Sequence, residues 1–485
     1  MPNRDSNSQP LPIRVIGAGL AGPEAAWQCA RRGLAVTLYE MRPTRSTPAH
    51  ETDLFGELVC SNSLKSDSEN SAPWLLKQEM RHAHSLLMEL SARTAVPAGH
   101  ALAVDRLEFS RLVTETIAAE PLIRIVREEV TSLADFDGVT ILASGPLTSD
   151  ALAAEIQRLS GTDRLFFFDS ISPIVEADSI DHSKVYMAAR YDKGTADYIN
   201  CPMMREEYDA FIAALAEAQR VDGHDWDKAQ YFEGCLPIEE IARRGPDTLR
   251  FGPMKPVGLR NPHTGNIPYA VVQLRQENLR ADSYNLVGFQ NHLKFGEQAR
   301  VLRMIPGLEN AKFLRYGQIH RNTYINAPTL LTPTLQMKQH PRIIFAGQLS
   351  GVEGYVESIA TGLLAGITAA AVASGIEVET GGPYSPAVGE CGAVDLAGRE
   401  ASESTHVALA APRASAHGSL TNYICNADPE HFQPANITFD LLEQLDESIK
   451  RKVRDKKLRH QMVCERAFAS FTNWFQQISV APPTR

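Results

Sequence analysis

The spacing of apolar and polar positions changes period several times along this chain, and each change marks an element. Residues 13–40 read as apolar strand, glycine turn, amphipathic helix and second apolar strand, a βαβ unit with Pro23 in the first helical turn, where its missing N–H costs little. Residues 41–71 lose the periodicity and are rich in Pro, Thr, Ser and Asn. Ser71 and Pro73 then open a predicted helix whose apolar positions Leu76, Met80, Ala83, Leu87 and Leu90 recur at helical spacing. From 101 to about 145 the pattern predicts helix, strand, strand, ending on the apolar run Val139-Thr140-Ile141-Leu142. The stretch 151–320 breaks the βαβ rhythm. It mixes a short strand at 184–187, a helix at 205–219 and a short helix that Pro237 opens and Gly245 stops. Residues 342–347 restore a strand with a glycine turn, followed by an Ala/Gly-rich helix at about 356–373. Residues 378–417 are rich in Gly, Ala, Ser and Pro and read as a linker or disordered loop. A helical tail closes the chain, and no internal repeat is present.

Within the first βαβ unit, Gly17-Ala18-Gly19-Leu20-Ala21-Gly22 matches G-x-G-x-x-G, and Glu40 stands at the end of the second strand. That spacing is the dinucleotide fingerprint. Gly17 permits the tight turn, Gly19 lets a pyrophosphate approach the backbone, and Gly22 lets helix pack on strand. The helix N-terminus offers N–H groups to the phosphates, and Glu40 is placed to bond an adenosine ribose. The second strand–glycine–helix, around Gly347, Gln348 and Tyr355, brings another helix start to the same cofactor. No second complete G-x-G-x-x-G marks a separate nicotinamide-binding domain.

Composition narrows the class. With 44% apolar and 22% charged residues over 485, the chain has ample core for several domains. Net charge is −10, so a nucleic-acid partner needs local basic patches. The strongest such run is Lys450-Arg451-Lys452-Val453-Arg454-Asp455-Lys456-Lys457-Leu458-Arg459, read equally as a solvated helix face or a phosphate-contacting strip. Lys77, Arg81 and His84 are read as a solvated helix face. Seven scattered cysteines without C-x-x-C spacing suggest neither a zinc site nor a disulfide framework. The polar first residues lack a signal-peptide core, and the expected compartment is the cytoplasm.

Two cysteines stand in unusual contexts. Cys60 lies in Leu58-Val59-Cys60-Ser61-Asn62-Ser63-Leu64-Lys65-Ser66, inside the irregular segment. Cys235 lies in Gly234-Cys235-Leu236-Pro237-Ile238-Glu239, just before a predicted helix start, where the dipole favours thiolate. Cys29 and Cys464 fit helical patterns and read as structural. The segment Tyr316-Gly317-Gln318-Ile319-His320-Arg321-Asn322-Thr323-Tyr324-Ile325-Asn326 is dense in hydrogen-bonding and aromatic side chains and reads as a pocket wall or a polar strand edge.

The glycine motif, both cysteine motifs, the 315–328 segment, Ala346-Gly347-Gln348 through Gly354-Tyr355, and Phe432-Gln433-Pro434 together resemble the folate- and FAD-dependent tRNA (uracil-5-)-methyltransferases. The resemblance covers about 12–375 and 418–470 and departs at 378–417, where the family has a shorter join. It implies an α/β fold: a Rossmann-like FAD-binding domain of the two-dinucleotide-binding flavoprotein type, with an inserted α+β domain and a helical C-terminal tail. The corresponding boundaries are 12–150 and 320–375 for the FAD-binding domain, 151–319 for the insertion, 378–417 for the linker and 418–485 for the tail. It implies FAD, reduced by NAD(P)H, and 5,10-methylenetetrahydrofolate as the one-carbon donor. The acceptor is C5 of uridine 54 in the T-loop of tRNA. C5 is a poor nucleophile until a thiolate adds at C6. Cys235 is the candidate for that addition and Cys60 the second cysteine, for proton abstraction at C5 or for protection and positioning. In the alternative the carbon travels on the flavin and neither thiol carries it. His320, Arg321, Asn322 and Tyr324 are candidate folate or flavin contacts. No membrane, no metal and no protein partner are implied. The rival readings are the related flavin–folate protein acting on the tRNA wobble uridine, an FAD oxidoreductase of small metabolites, and a non-catalytic flavoprotein that binds RNA.

Overall fold

The computed structural model describes residues 9–47, 49–134, 136–161, 165–192, 195–221, 236–376 and 409–480. Its first core is built on a five-stranded parallel sheet. β1 (Ile13–Ile16) lies between β2 (Val36–Tyr39) and β7 (Val139–Leu142), with Ile13 opposite Val36 on one side and Val139 on the other. β6 (Ile123–Val126) extends the sheet beyond β2, and β16 (Ile343–Phe345) extends it beyond β7. β1 and β7 are buried at every position, as strands covered on both faces must be. α1 (Ala21–Ala30) and α10 (Tyr355–Ala373) cover it, and they approach closely because α10 presents glycines. A Cβ on Gly362 would stand 2.4 Å from the Ala21 carbonyl oxygen, and one on Gly366 would stand 2.5 Å from that of Ala25. α10 is long and apolar enough to cross a membrane, but 89% of that stretch is buried inside the fold, as befits a core helix.

A small antiparallel sheet joins this core: β3 (Ser63–Ser66), β5 (Ala101–Val104) and β4 (Ala95–Val96), in that order. The predicted helix from Ser71 is in fact two, α2 (Ala72–His82) and α3 (Leu86–Arg93). His84 has φ +56°, which ends the first helix, and Ser85 caps the second by accepting from Met88 N. Residues 101–104 form a strand before α4 (Arg106–Ala119), so the order after 101 is strand, helix, strand, strand. α5 (Asp150–Ser160) packs Leu152 and Ile156 into the first core, which carries that domain past 150.

The second core, within 174–315, is antiparallel and has its own sheet. The strand order is β10 (Tyr186–Met187), β11 (Tyr198–Met203), β12 (Ala270–Gln276), β13 (Ser283–Leu286), β9 (Ile174–Glu176) and β14 (Phe313–Arg315). α6 (Arg205–Glu217), α7 (Ile238–Arg243) and α8 (Phe295–Leu302) accompany it, and Tyr208, Phe211, Val272 and Phe289 fill the interior. β8 (Leu165–Ser170) and β15 (Ile319–Tyr324) form an antiparallel ribbon at the two ends of this insertion.

The C-terminal helices belong to the first core. α9 (Ala327–Leu330), α11 (Ala416–Asn426), α12 (Glu447–Lys452) and α13 (Lys456–Val480) complete the chain. Glu79 of α2 accepts from Ala416 N and His417 N at 2.8 and 3.0 Å, at the start of α11. His417 stacks on Phe471 of α13 at 4.9 Å. Residues 409–417, at the end of the expected linker, are packed, with Leu409 and Ala411 buried. The rest of that linker lies outside the described residues.

Candidate active site

The glycine turn opens onto a cavity of about 330 Å³. Gly17 has φ +102°, and a Cβ there would lie 2.5 Å from the Ala143 carbonyl oxygen. A Cβ on Gly22 would lie 1.8 Å from the Gly17 carbonyl oxygen, so any side chain here forces the turn to shift. Gly19 faces open space, with nothing within 4 Å of such an atom. Gly17, Ala18, Gly19, Leu20 and Ala21 line the cavity, and Gly22 packs beneath them. This is the cradle a dinucleotide pyrophosphate requires, closed below and open above. Glu40 also lines the cavity, with its carboxylate already oriented. One oxygen accepts from Ala18 N at 2.9 Å, and the other from Arg42 N and Nε at 3.0 and 2.9 Å. Burial opposes its charge, and Arg42 outweighs burial, holding the carboxyl below its ordinary range.

The second strand–glycine–helix reaches the same cavity. Gly347 (φ +70°), Gln348, Gly354 and Tyr355 line it, and the start of α10 faces it. Cys60, half-buried, lines the same cavity beside Tyr355. The Tyr355 hydroxyl oxygen accepts from Cys60 N at 2.7 Å and from Ser61 N at 3.2 Å. Burial, with Cys60 beside it, raises the Tyr355 phenol well above its ordinary value, so it is neutral. The remaining described cysteines are buried. Burial pushes the thiols of Cys29, Cys425 and Cys464 up to about 12, and that of Cys201 well above its ordinary value.

The Cys60 loop is held partly by its own motif residues and partly by two arginines that belong to no recognised motif. Arg106, at the start of α4, donates to Leu58 O at 2.7 Å and pairs with Glu277 at 2.9 Å. Burial opposes its charge; Glu277, with Tyr355 and Cys60 near, reverses that and keeps it protonated. Arg275 of β12 reaches across from the second core. Its Nε donates to Asn62 Oδ1 and its Nη2 to Ser61 Oγ, both at 2.9 Å. Asn62 Nδ2 donates back to Gln276 O at 2.9 Å. Beyond the loop, Lys65 pairs with Glu357 at 2.6 Å and donates to Asn436. Lys77 is fully buried rather than solvated. It donates to Leu64 O and Ser66 O at 2.9 Å and pairs with Asp67 at 3.3 Å. The helix-face reading fails there because three strand carbonyls stand over that face and need a donor.

Cys235 lies outside the described residues. The downstream half of its motif is anchored at the cavity. Ile238 N donates to the carbonyl oxygen of Gln290, a cavity residue, at 2.8 Å. Glu239 accepts from His292 N at 2.9 Å and meets His292 Nδ1 at 2.7 Å. His320, Arg321 and Asn322 lie on β15, and their side chains fall outside the description. Tyr324 is buried against Phe432, with ring centroids 6.1 Å apart, and does not line the cavity. The 450–459 run is mainly exposed along α12 and the start of α13. Arg106, Arg275 and Gln290 went unrecognised because no local spacing sets them apart, and Lys65, within the Cys60 motif, was not singled out. Among the described residues no three His, Cys, Asp or Glu side chains gather as a metal would need.

The chain matches the family described as glucose inhibited division protein A over residues 12–377. It is 68% identical over 464 residues to a methylenetetrahydrofolate–tRNA-(uracil-5-)-methyltransferase TrmFO of Koribacter versatilis, covering 96% of this chain and 98% of the relative. The chain belongs to the TrmFO branch of that family. A TrmFO of Solibacter usitatus is 59% identical over 468 residues, covering 96% and 98% of the two chains. Among solved structures, Aquifex aeolicus GidA in one crystal form aligns with a TM-score of 0.63 at 14% identity, over 97% of this chain and 78% of that one. A second crystal form aligns with a TM-score of 0.58 at 17% identity, over 76% and 64%. These structures share the fold, a Rossmann-like domain carrying an insertion.

Proposed function

We propose that the protein methylates C5 of uridine 54 in the T-loop of tRNA, taking one carbon from 5,10-methylenetetrahydrofolate. The observation that carries this is convergence. The dinucleotide cradle, the Cys60 loop and the Gln290 anchor of the Cys235 motif share one cavity. The 68% identity to a TrmFO, over nearly both full lengths, favours this acceptor over the wobble-uridine reading. FAD held on Gly17–Ala21 and reduced by NAD(P)H supplies the two electrons that bring the carbon from methylene to methyl level.

The chain's own residues do the rest. The Cys235 thiolate adds to C6 of the uracil, and the electron pair moved to C5 makes that carbon nucleophilic. Once C5 has bonded the one-carbon unit, Cys60 takes the C5 proton as the carbon–nitrogen bond to tetrahydrofolate breaks; hydride from the reduced flavin would complete the methyl group, and the Cys235–C6 bond then breaks, restoring thiolate and ring. Arg106, kept protonated, places a positive charge near Cys60. The target base must leave the folded loop to reach the cavity. The basic 450–459 run contacts phosphate. The working compartment is the cytoplasm.

Tritium placed at C5 of the T-loop uridine tests the sequence of events. Release of tritium to water requires methylenetetrahydrofolate and stops in Cys235→Ala and in Cys60→Ala. Release undiminished in both variants overturns the assignment.

A further inference from the structure

On the second core, three aromatic rings form a ladder that runs from Phe313, packed against that core, out to an exposed ring. Phe295, at the start of α8, stacks on Tyr316 with centroids 5.2 Å apart and planes 22° apart. Tyr316 stacks on Phe313 at 5.1 Å and 23°. The Arg303 guanidinium lies 5.9 Å from the Phe313 ring. Phe295, at the outer end, is 52% exposed, and neighbouring Leu314 is 60% exposed. A lone exposed Phe needs no explanation. A rigid, pre-stacked pair with an accessible terminal ring is a different object.

The rigidity comes from Gln298, which is fully buried. Its amide accepts from Gly317 N and donates to Gly317 O, both at 2.8 Å, and also donates to Leu293 O at 2.8 Å. The segments bearing Tyr316 and Phe295 are thus locked together. Both lead into the cavity wall. Phe295 is five residues beyond Gln290, and Asn291 packs against Gly317. Arg315 donates to Ala49 O at 2.9 Å, beside cavity residues Thr47 and His50.

We propose that the outer face of Phe295 is a stacking site for an unpaired base of the tRNA, next to the cavity that takes the target uridine. The proposal rests on the tRNA reading above. Stacking on a flat ring is how proteins hold bases that have left their own stack, whatever the base. Charge agrees. Residues 294–315 carry five basic and two acidic side chains, and with Glu176 and Glu51, which pair into this segment from elsewhere, the surplus is one positive charge. Arg300, Lys312 and Arg315 pair with Glu297, Glu176 and Glu51. Arg303 bonds instead to the Ala311 carbonyl oxygen, leaving its charge uncancelled there.

The test uses the full-length flavin-bound protein and a fluorescently labelled T-arm stem-loop. Phe295→Ala weakens binding by roughly 5- to 100-fold, the range for one lost base stack. It raises KM for tRNA rather than lowering kcat. Phe295→Trp restores binding, and Phe295→Leu, apolar but without a ring face, does not. Equal binding by Phe295→Leu and wild type overturns the proposal, as does unchanged binding by Phe295→Ala. An altered oligomeric state of Phe295→Ala with unchanged RNA binding would make the ladder a contact between copies and also overturn it. Wild type that binds no T-arm would instead sink the tRNA reading, before any variant is compared.

Discussion

Replacing Arg275 with methionine keeps the stem and removes the guanidinium that ties the two cores at the Cys60 loop. Arg275 is 7% exposed and Asn62 fully buried, so water cannot replace the donor to Asn62, while Ser61, on the cavity wall, is open to it. Two hydrogen bonds of 2.9 Å disappear, to Asn62 and to Ser61, and a weaker one of 3.4 Å to Asn285. Bonds from a charged donor contribute about 1.5–3 kcal/mol each, and stranding buried acceptors adds to the loss. Asn62 Oδ1 keeps Asn285 Nδ2 at 3.3 Å, and Glu277 keeps Arg106, which limits the damage. The expected destabilisation is about 3–5 kcal/mol. Urea unfolding read by circular dichroism gives that value. Turnover falls because Ser61 and Asn62, next to Cys60, lose their tether, while flavin content holds because the glycine cradle is made by β1 and α1. Arg275→Lys falls between, since one ammonium cannot match the forked pair of bonds. Stability within about 0.5 kcal/mol of wild type, with unchanged kcat, would refute the idea that this arginine positions the loop.

Two further outcomes follow from other parts of the site. Gly22→Ala forces a Cβ to 1.8 Å from the Gly17 carbonyl oxygen. Overpacking of about 1–3 kcal/mol at the pyrophosphate turn lowers flavin affinity roughly 10- to 100-fold, read as flavin absorbance per chain after dialysis. Burial depresses the Lys77 ammonium from its ordinary 10.5 to about 8, against the pull of Asp67. Between those values the unfolded chain holds a proton the folded chain has released, so unfolding free energy rises with pH from about 8 to about 10.5. Lys77→Met removes that increment from the stability–pH curve, and an unchanged slope in this variant would show that Lys77 is not its source.

The elements legible in the sequence were those whose signal is local. The glycine turn, the strand at 139–142 and the helix at 355–373 follow from apolar runs and glycine spacing that any reader of the chain can see. The break at His84 was hidden because Leu76 through Leu90 keep a helical phase across it, while a single left-handed residue ends the helix. Lys77 looked like a solvated charge because its partners, the carbonyls of Leu64 and Ser66, come from a strand eleven residues or more away. Arg106 and Arg275 were illegible for the same reason. Their meaning lies in contacts across more than 40 residues, to Leu58 and to Asn62. The tail reads as a separate segment by composition, yet Phe471 and Trp474 complete the first core.

Carbon transfer to an unmodified tRNA transcript tests the central claim most directly. Labelled 5,10-methylenetetrahydrofolate, FAD and NAD(P)H are supplied, with labelled S-adenosylmethionine in a parallel reaction. A second transcript carries cytidine at position 54. The account predicts label from the folate alone, and only in the transcript with uridine 54. Flavin-bound protein that transfers no label from either donor, or labels both transcripts equally, would contradict it.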